Sequence, residues 1–559
     1  MKPKKSRCIP FLLTACLVQV GVVSALPVVW TGATNTDFAT GANWVSGNPP
    51  ANDLTTDIAT FSGVATVQPS LGTNRQVNGV NFVTGGWTLG GTGTLTVGTG
   101  GITSTGDNTI LANLSIDNGG AKVISSSTGS TLTLNKLSTG GSNANNLTFG
   151  SVGNTGTIVL TGNNLDNGYL SAVVAYGTVI LNKGTVGGTT DVGSAVDNLT
   201  VNAGATAKYG INSTDRNGSA AAGRGQVYGD ATINGTLDLN GNGVFSDNWT
   251  VQHLNGNSTG LVTNTGSGAA QLRIAGGGAE SSFAGLITDG ATATTAIQVN
   301  IGSAQSFNNA ANSFTGGTEI LGGKARYFSD GALGAVPTTA STNITMNGAT
   351  ARLVNLDSNL VVNVNRTISI GAAGGGFQSG WSKSTTIDGA IIGTGKVTIF
   401  SDSGNVVFTG INTYSGNTVI ENSSGNNGAG VKFTLADNAS MLFQIGANGV
   451  NNQITGLAAS GTLIALNGDF NFNLALANLT AGNVWNIVDV ANLGETFGST
   501  FTVNGFTENA DVWTKTDGSN VWTFSEATGL LTIGAIPEPS AVALLSVLGV
   551  FGLVRRNRR

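Results

Sequence analysis

The chain has 559 residues, of which 85 are glycine, 29 acidic, 24 basic and one histidine. Charged residues are 9% of the total, against roughly 25% in an ordinary soluble domain, yet mean hydropathy is +0.14, too high for a charge-rich disordered chain. Glycine has no three-residue period and the 9 prolines are few, which excludes collagen. His253 is the single histidine, and Cys8 and Cys16 are the two cysteines. A Ser-His-Asp or Cys-His site therefore has only His253 to draw on, and a chain trimmed of its first residues has no cysteine for a zinc site, a thiolate or a disulfide. No apolar stretch of about 20 residues lies in the interior, so the chain is not a polytopic membrane protein.

Lys2, Lys4, Lys5 and Arg7 open the chain, residues 9–23 are mostly apolar, and Val23-Ser24-Ala25 places a small residue where cleavage occurs. This is the build of a secretory signal peptide, residues 1–25, cut after Ala25 by signal peptidase. Leu13-Thr14-Ala15-Cys16 also has the shape of a lipoprotein box, and an uncleaved anchor is a third possibility. The apolar run continues past Cys16, which ranks the first reading above the other two.

Residues 26–84 carry Trp30, Phe38, Trp44, Pro49, Pro50 and Phe61 close together, after which aromatics thin out. They are expected to form an N-terminal cap, since an open sheet edge invites unwanted pairing. From residue 85 to 450 short Thr- and Val-rich runs alternate with Gly and Asn. Thr94-Leu95-Thr96-Val97 shows the period of two that marks a strand, and the Gly/Asn pairs mark turns. No window of about 12 residues has a capped helical face. Strands this short cannot each bury a core. Stacking coil on coil does so, with inward Val, Ile and Leu forming ladders. The expected fold class is therefore all-β: a right-handed parallel β-helix or β-solenoid with terminal cap modules and a short C-terminal hydrophobic helix. With ~20–25 residues per coil and ~4.8 Å per rung it would be a rod on the order of 100 Å long. A string of antiparallel sandwiches is the alternative. Residues 451–535 regain aromatics, among them Phe470, Trp485, Phe501, Trp513, Trp522 and Phe524, and are expected to form a C-terminal β cap.

Residues 536–559 combine Pro537-Glu538-Pro539, an uncharged run over 541–554, and a tail of Arg555, Arg556, Arg558 and Arg559. Fourteen residues make a helix of about 21 Å, short of the ~30 Å hydrocarbon core, and the arginines would hold that end in the cytoplasm. An ordinary tail anchor is the plain reading. The tripartite order resembles the PEP-CTERM sorting signal of exported bacterial proteins. That resemblance implies an exosortase-type membrane protease that recognises Pro537-Glu538-Pro539, removes the helix and basic tail, and releases the protein or attaches it at the surface. Before processing the helix would hold the chain in the membrane. Loss of both ends removes eight basic residues and leaves a body of charge about −13, which disfavours nucleic acid as partner.

Within the body, Asn312-Ser313-Phe314-Thr315-Gly316-Gly317-Thr318 recurs as Asn412-Thr413-Tyr414-Ser415-Gly416-Asn417-Thr418. Ile387-Asp388-Gly389 through Gly393-Thr394-Gly395 leads into the second copy, and Asp330-Gly331-Ala332-Leu333-Gly334 follows the first. These passages, best over 283–334 and 387–421, resemble the autotransporter-associated β-strand repeat of bacterial passenger proteins. The resemblance implies a stacked β rod on a cell surface. It does not imply self-transport, because the helix and arginines stand where an autotransporter has its membrane barrel.

Candidate chemistry is thin. Asp238-Leu239-Asn240-Gly241-Asn242-Gly243 fits the first half of a calcium loop, but Trp249 stands where the bidentate acid belongs and Asp247 is out of register. Lys324, Lys396 and Gly223-Arg224-Gly225 lack phosphate-loop or dinucleotide spacing. Glu319, Asp330, Asp388 and Asp402 are acids that could in principle serve a polysaccharide-cleaving pair, though nothing in the sequence sets two of them at the right separation. His253 is expected at the surface or in a turn, and Asn146-Leu147-Thr148 follows from composition. The sequence thus predicts no catalytic residue, metal site or cofactor. It points to an exported, non-enzymatic surface or matrix protein with a structural or adhesive role, extracellular polysaccharide being a candidate partner. A polysaccharide-active enzyme on the same scaffold is the alternative, and a self-associating filament subunit is a third.

Overall fold

The computed structural model describes residues 25–536, except 118, 140–144, 163–169, 184–194, 211–225, 228, 242–250, 402–403, 422–429 and 457–461. The described chain is all-β, a parallel β-solenoid of about 14 turns. Among the described residues helix is confined to two 3-10 turns, Gly41–Asn43 and Asp330–Leu333. A 12-stranded sheet runs from Leu26–Val29 to Leu254–Asn255, and a 10-stranded sheet from Ser70–Leu71 to Leu286–Ile287. Further along, a second 12-stranded sheet reaches Ile454–Gly456. A 6-stranded and a 4-stranded sheet accompany it, ending at Glu495–Phe497 and Thr502–Val503. Strand pairing within these five sheets is parallel, so the sandwich alternative does not hold.

The ladders show why period-two strands stack. Leu132, Ile158, Val179, Ala207, Leu237, Val262 and Ile287 lie in register on seven successive rungs, all buried. Each large aliphatic side chain gains about 1.5–3 kcal/mol from burial, and its register partners supply the neighbours that exclude water. Aromatic residues obey the same rule: Phe61 stacks on its partner Phe82 with ring centroids 5.1 Å apart, and Phe307 on Tyr327 at 5.0 Å. About 14 rungs at ~4.8 Å give a stack of roughly 70 Å. It is shorter than the expected rod because some rungs are longer than anticipated. The step is 21 residues from Val299 to Ile320 but 36 from Ile420 to Gly456.

Where a rung is irregular, carboxamides stand in for backbone. Gln305 accepts from Leu254 N (3.2 Å) and donates to Leu254 O (2.9 Å), and Gln226 does the same to Lys183. The repeat places its asparagine in this role. Asn312 accepts from Ile287 N on one rung and donates to Ala332 O on another. Asn412 likewise joins Ile391 N to Ser440 O. The repeat glycines permit contact between rungs: a Cβ on Gly416 would sit 2.1 Å from Gly395 O, and one on Gly395 would sit 1.8 Å from Gly371 O. The Asp330–Leu333 turn of the repeat is held by Arg366, which is wholly buried. Its Nε donates to Asp330 Oδ1 (2.8 Å), Nη2 to Gly334 O (2.7 Å), and Nη1 to Asn343.

Residues 26–84 already belong to the ladder, since Leu26–Val29 pairs with Asp57–Phe61 and that strand with Arg75–Phe82. The covering is done by residues 30–50, which fold back over the first strand: Val45 N donates to Val29 O and Thr31 N to Asn43 O. Trp44 packs edge-on between Trp30 and Phe38, with centroids 5.0 and 4.8 Å away. At the other end the parallel rungs persist past residue 451 as far as Val503. A 5-stranded antiparallel sheet then builds from Val484–Asn486 and residues 507–535. Phe524 of that sheet packs on Phe470 of the solenoid, and Trp522 on Trp485.

Candidate functional site

Pro537, Glu538, Pro539, Arg555, Arg556, Arg558 and Arg559 lie outside the described residues, as does the expected helix over 541–554. So do residues 1–24, which leaves Ala25 just ahead of the first strand. Among the described residues no helix is long and apolar enough to cross a membrane. Asp402, Gly223-Arg224-Gly225 and the second half of the calcium-like string are also outside them.

The first half of that string is a structural device. Asp238 is buried, and its carboxylate accepts from Thr265 N (2.9 Å), Thr265 Oγ1 (2.5 Å) and Asn240 N (3.0 Å), with Lys208 Nζ at 3.0 Å. Burial pushes its pKa up, but these donors together outweigh burial and bring it below the usual carboxylate value. Both oxygens are thereby engaged. Among the described residues no three His, Cys, Asp or Glu side chains gather where a metal could sit.

His253 corrects the expectation of a surface or turn residue. It is 6% exposed, with Nδ1 2.6 Å from Asp230 Oδ1 and Nε2 3.1 Å from Gly277 O. The ring bridges successive rungs. Asp330 and Asp388, two of the candidate acids, are tied to local partners. Asp330 holds Arg366, and Asp388 accepts from Thr409 Oγ1 at 2.5 Å. Lys396 pairs with Glu421 at 3.3 Å.

Glu319 faces a concavity. Its Oε2 accepts from Gln298 Nε2 (2.6 Å) and Gln271 Nε2 (3.4 Å). Gln298 is oriented from behind by Arg273, whose Nε donates to Gln298 Oε1. Because a guanidinium can only donate, the amide oxygen must face Arg273 and the amide nitrogen must face Glu319. Gln271 Oε1 is buried with no partner. Glu319 and Gln271, with Gly316, Gly317 and Thr345, line an open cavity of about 210 Å³. A larger open groove of about 370 Å³ lies over Ser415, Asn417, Gln444, Asn451, Asn452 and Asn473. Its amides are mostly spent within the chain: Asn452 binds Gln444 N and Leu442 O, Asn473 binds Gln444, and Asn451 binds Asn486 O. The repeat motif in the sequence marks one wall of each site but not the residues that complete it. Gln271 and Gln298 are 48 and 21 residues from Glu319, and only strand register brings them together.

Comparison with protein-family models, curated proteins and solved structures gives no match.

Proposed function

We propose that the chain is an exported bacterial β-solenoid with a structural or adhesive role at the cell surface or in the extracellular matrix. In this reading signal peptidase cuts after Ala25, and an exosortase-type protease acts at Pro537-Glu538-Pro539. The observation that carries it is the order of that motif, the apolar run over 541–554 and the four terminal arginines. The stacked rungs fit the role, because each rung is stabilised by its neighbours and a rod can be long without a large globular core. Right-handed winding is the sense that right-twisted strands favour. The strength of the chain lies in inter-rung hydrogen bonds and apolar ladders, with its few buried charges spent on holding turns. Mass spectrometry of cell-surface and released fractions from an expressing bacterium tests the reading. Mature chains should start at residue 26 and lack residues 540–559. Recovery of surface chains that retain residues 555–559 would remove the sorting part of the proposal.

A further inference from the structure

The two repeat copies each touch one of the two concavities. Gly316, Gly317 and Thr318 line the first, and Ser415 and Asn417 line the second. They differ at one telling position. Glu319 follows the threonine of the first copy, and Val419 follows that of the second.

We infer that the cavity over Glu319 is a binding site for a single sugar ring rich in hydrogen-bond donors, neutral or amine-bearing, and that it discriminates against acidic sugars. Three observations combine. Glu319 Oε2 is tied down by two carboxamides, while no hydrogen bond within the described chain engages Oε1. Among the described residues no lysine or arginine lines the cavity, so an anion there would meet the Glu319 carboxylate with no cation on the wall. The volume of about 210 Å³ is below the ~300 Å³ of pockets for drug-sized ligands, and would hold about seven waters at ~30 Å³ each. That is room for one compact hydroxylated ring. The glycines of the repeat keep the wall low, and Arg273 fixes Gln298 so that the carboxylate is presented in one orientation. The site does not depend on the sorting reading, and a chain with no surface role would still carry it.

Isothermal titration of the full chain with tetrasaccharides of glucosamine, glucose and glucuronic acid tests this. The glucosamine oligomer should bind most tightly and weaken with salt, the glucose oligomer should bind more weakly, and the glucuronate oligomer should give no heat. Glu319→Gln keeps the shape and should weaken glucosamine binding about tenfold or more, the worth of a hydrogen bond to a charged group. Thr345→Trp at the rim should block both ligands, whereas Asn473→Ala in the second groove should leave binding unchanged. Circular dichroism should show each variant folded. Absence of binding by all three oligomers, preference for glucuronate, or equal binding by wild type, Glu319→Gln and Thr345→Trp overturns the inference.

Discussion

The parallel stack and the antiparallel sheet that closes it use the same residues for different ends. In the stack, many glycines are required by close approach: Gly395 has no room for a Cβ because Gly371 O on the rung below would be 1.8 Å away. In the antiparallel sheet, glycine is required by turn conformation: Gly518 has φ +61° and open space around its Cα. Polar groups divide the same way. The stack buries Arg366, Asp238, His253 and several carboxamides, each bonded between rungs. The closing sheet keeps its acids near the edge, where Glu508, Asp511 and Glu526 crowd together. A stack has to satisfy every group that its corners bury, whereas a hairpin can turn its charges to water.

Four experiments can break or sharpen this contrast. The largest effect is expected for Arg366→Ala, which orphans Asp330 and the Gly334 carbonyl. Removing one partner of a buried ion pair costs about 3–5 kcal/mol. Hydrogen exchange should speed most in rungs 330–400 and least in residues 507–535, because coupling in a stack passes between neighbours. Next, Gly395→Ala should cost about 3 kcal/mol or more in denaturant unfolding, since backbone must move at the overpacked contact. Gly518→Ala should cost about 1–2 kcal/mol, the strain of a left-handed alanine. Equal losses at the two glycines would erase the distinction between them.

Acid should act with opposite signs in the two regions. Asp238 has its pKa lowered, so its stabilisation is present above its ordinary value near 3.8 and is lost as pH falls through the lower folded value. Glu526 has its pKa raised, first by burial and then by Asp511 and Glu508, against the bond from Trp513 Nε1. Its contribution is present below its ordinary value near 4.5 and is lost as pH rises through the folded one. Hydrogen exchange should therefore show strand Val512–Asp517 gaining protection between pH 7 and 4.5 while the Asp238 rung loses it only below about pH 4. Asp238→Asn should abolish the latter loss. The smallest effect is expected at the hairpin tip, where Ala510 and Asp511 both have positive φ. That turn type favours Asn then Gly, so Ala510→Asn should raise stability by about 0.5–1 kcal/mol in denaturant melts.

Much of the fold was legible because the stack repeats a local rule. Thr94-Leu95-Thr96-Val97 announces both its strand and the face that it buries, and Asn312 and Asn412 mark equivalent rungs. The extent of the stack past residue 451 was less visible. The returning aromatics Phe470 and Phe472 look like a change of fold, yet they remain on a parallel rung paired with Phe443 and its neighbours. The role of His253 was hidden because Asp230 and Gly277 reach it from other rungs. The Glu319 cavity was hidden for the same reason. Rung length varies too widely for spacing alone to place Gln271 and Gln298 beside it.

The central claim is that similar rungs lie in register, one above another, and paired cysteines test it most directly. With Cys8 and Cys16 replaced by serine, Thr386 and Val407 are register partners and Thr434 is one rung further. Partners one rung apart lie within the ~4.4–6.8 Å Cα separation that a disulfide spans, whereas residues two rungs apart, at roughly 9.6 Å, do not. Oxidation of the Thr386→Cys, Val407→Cys chain should give a rapid, quantitative internal crosslink, and the Thr386→Cys, Thr434→Cys chain should give none. A crosslink in the second and not the first, or in neither, would contradict the stacked-rung account.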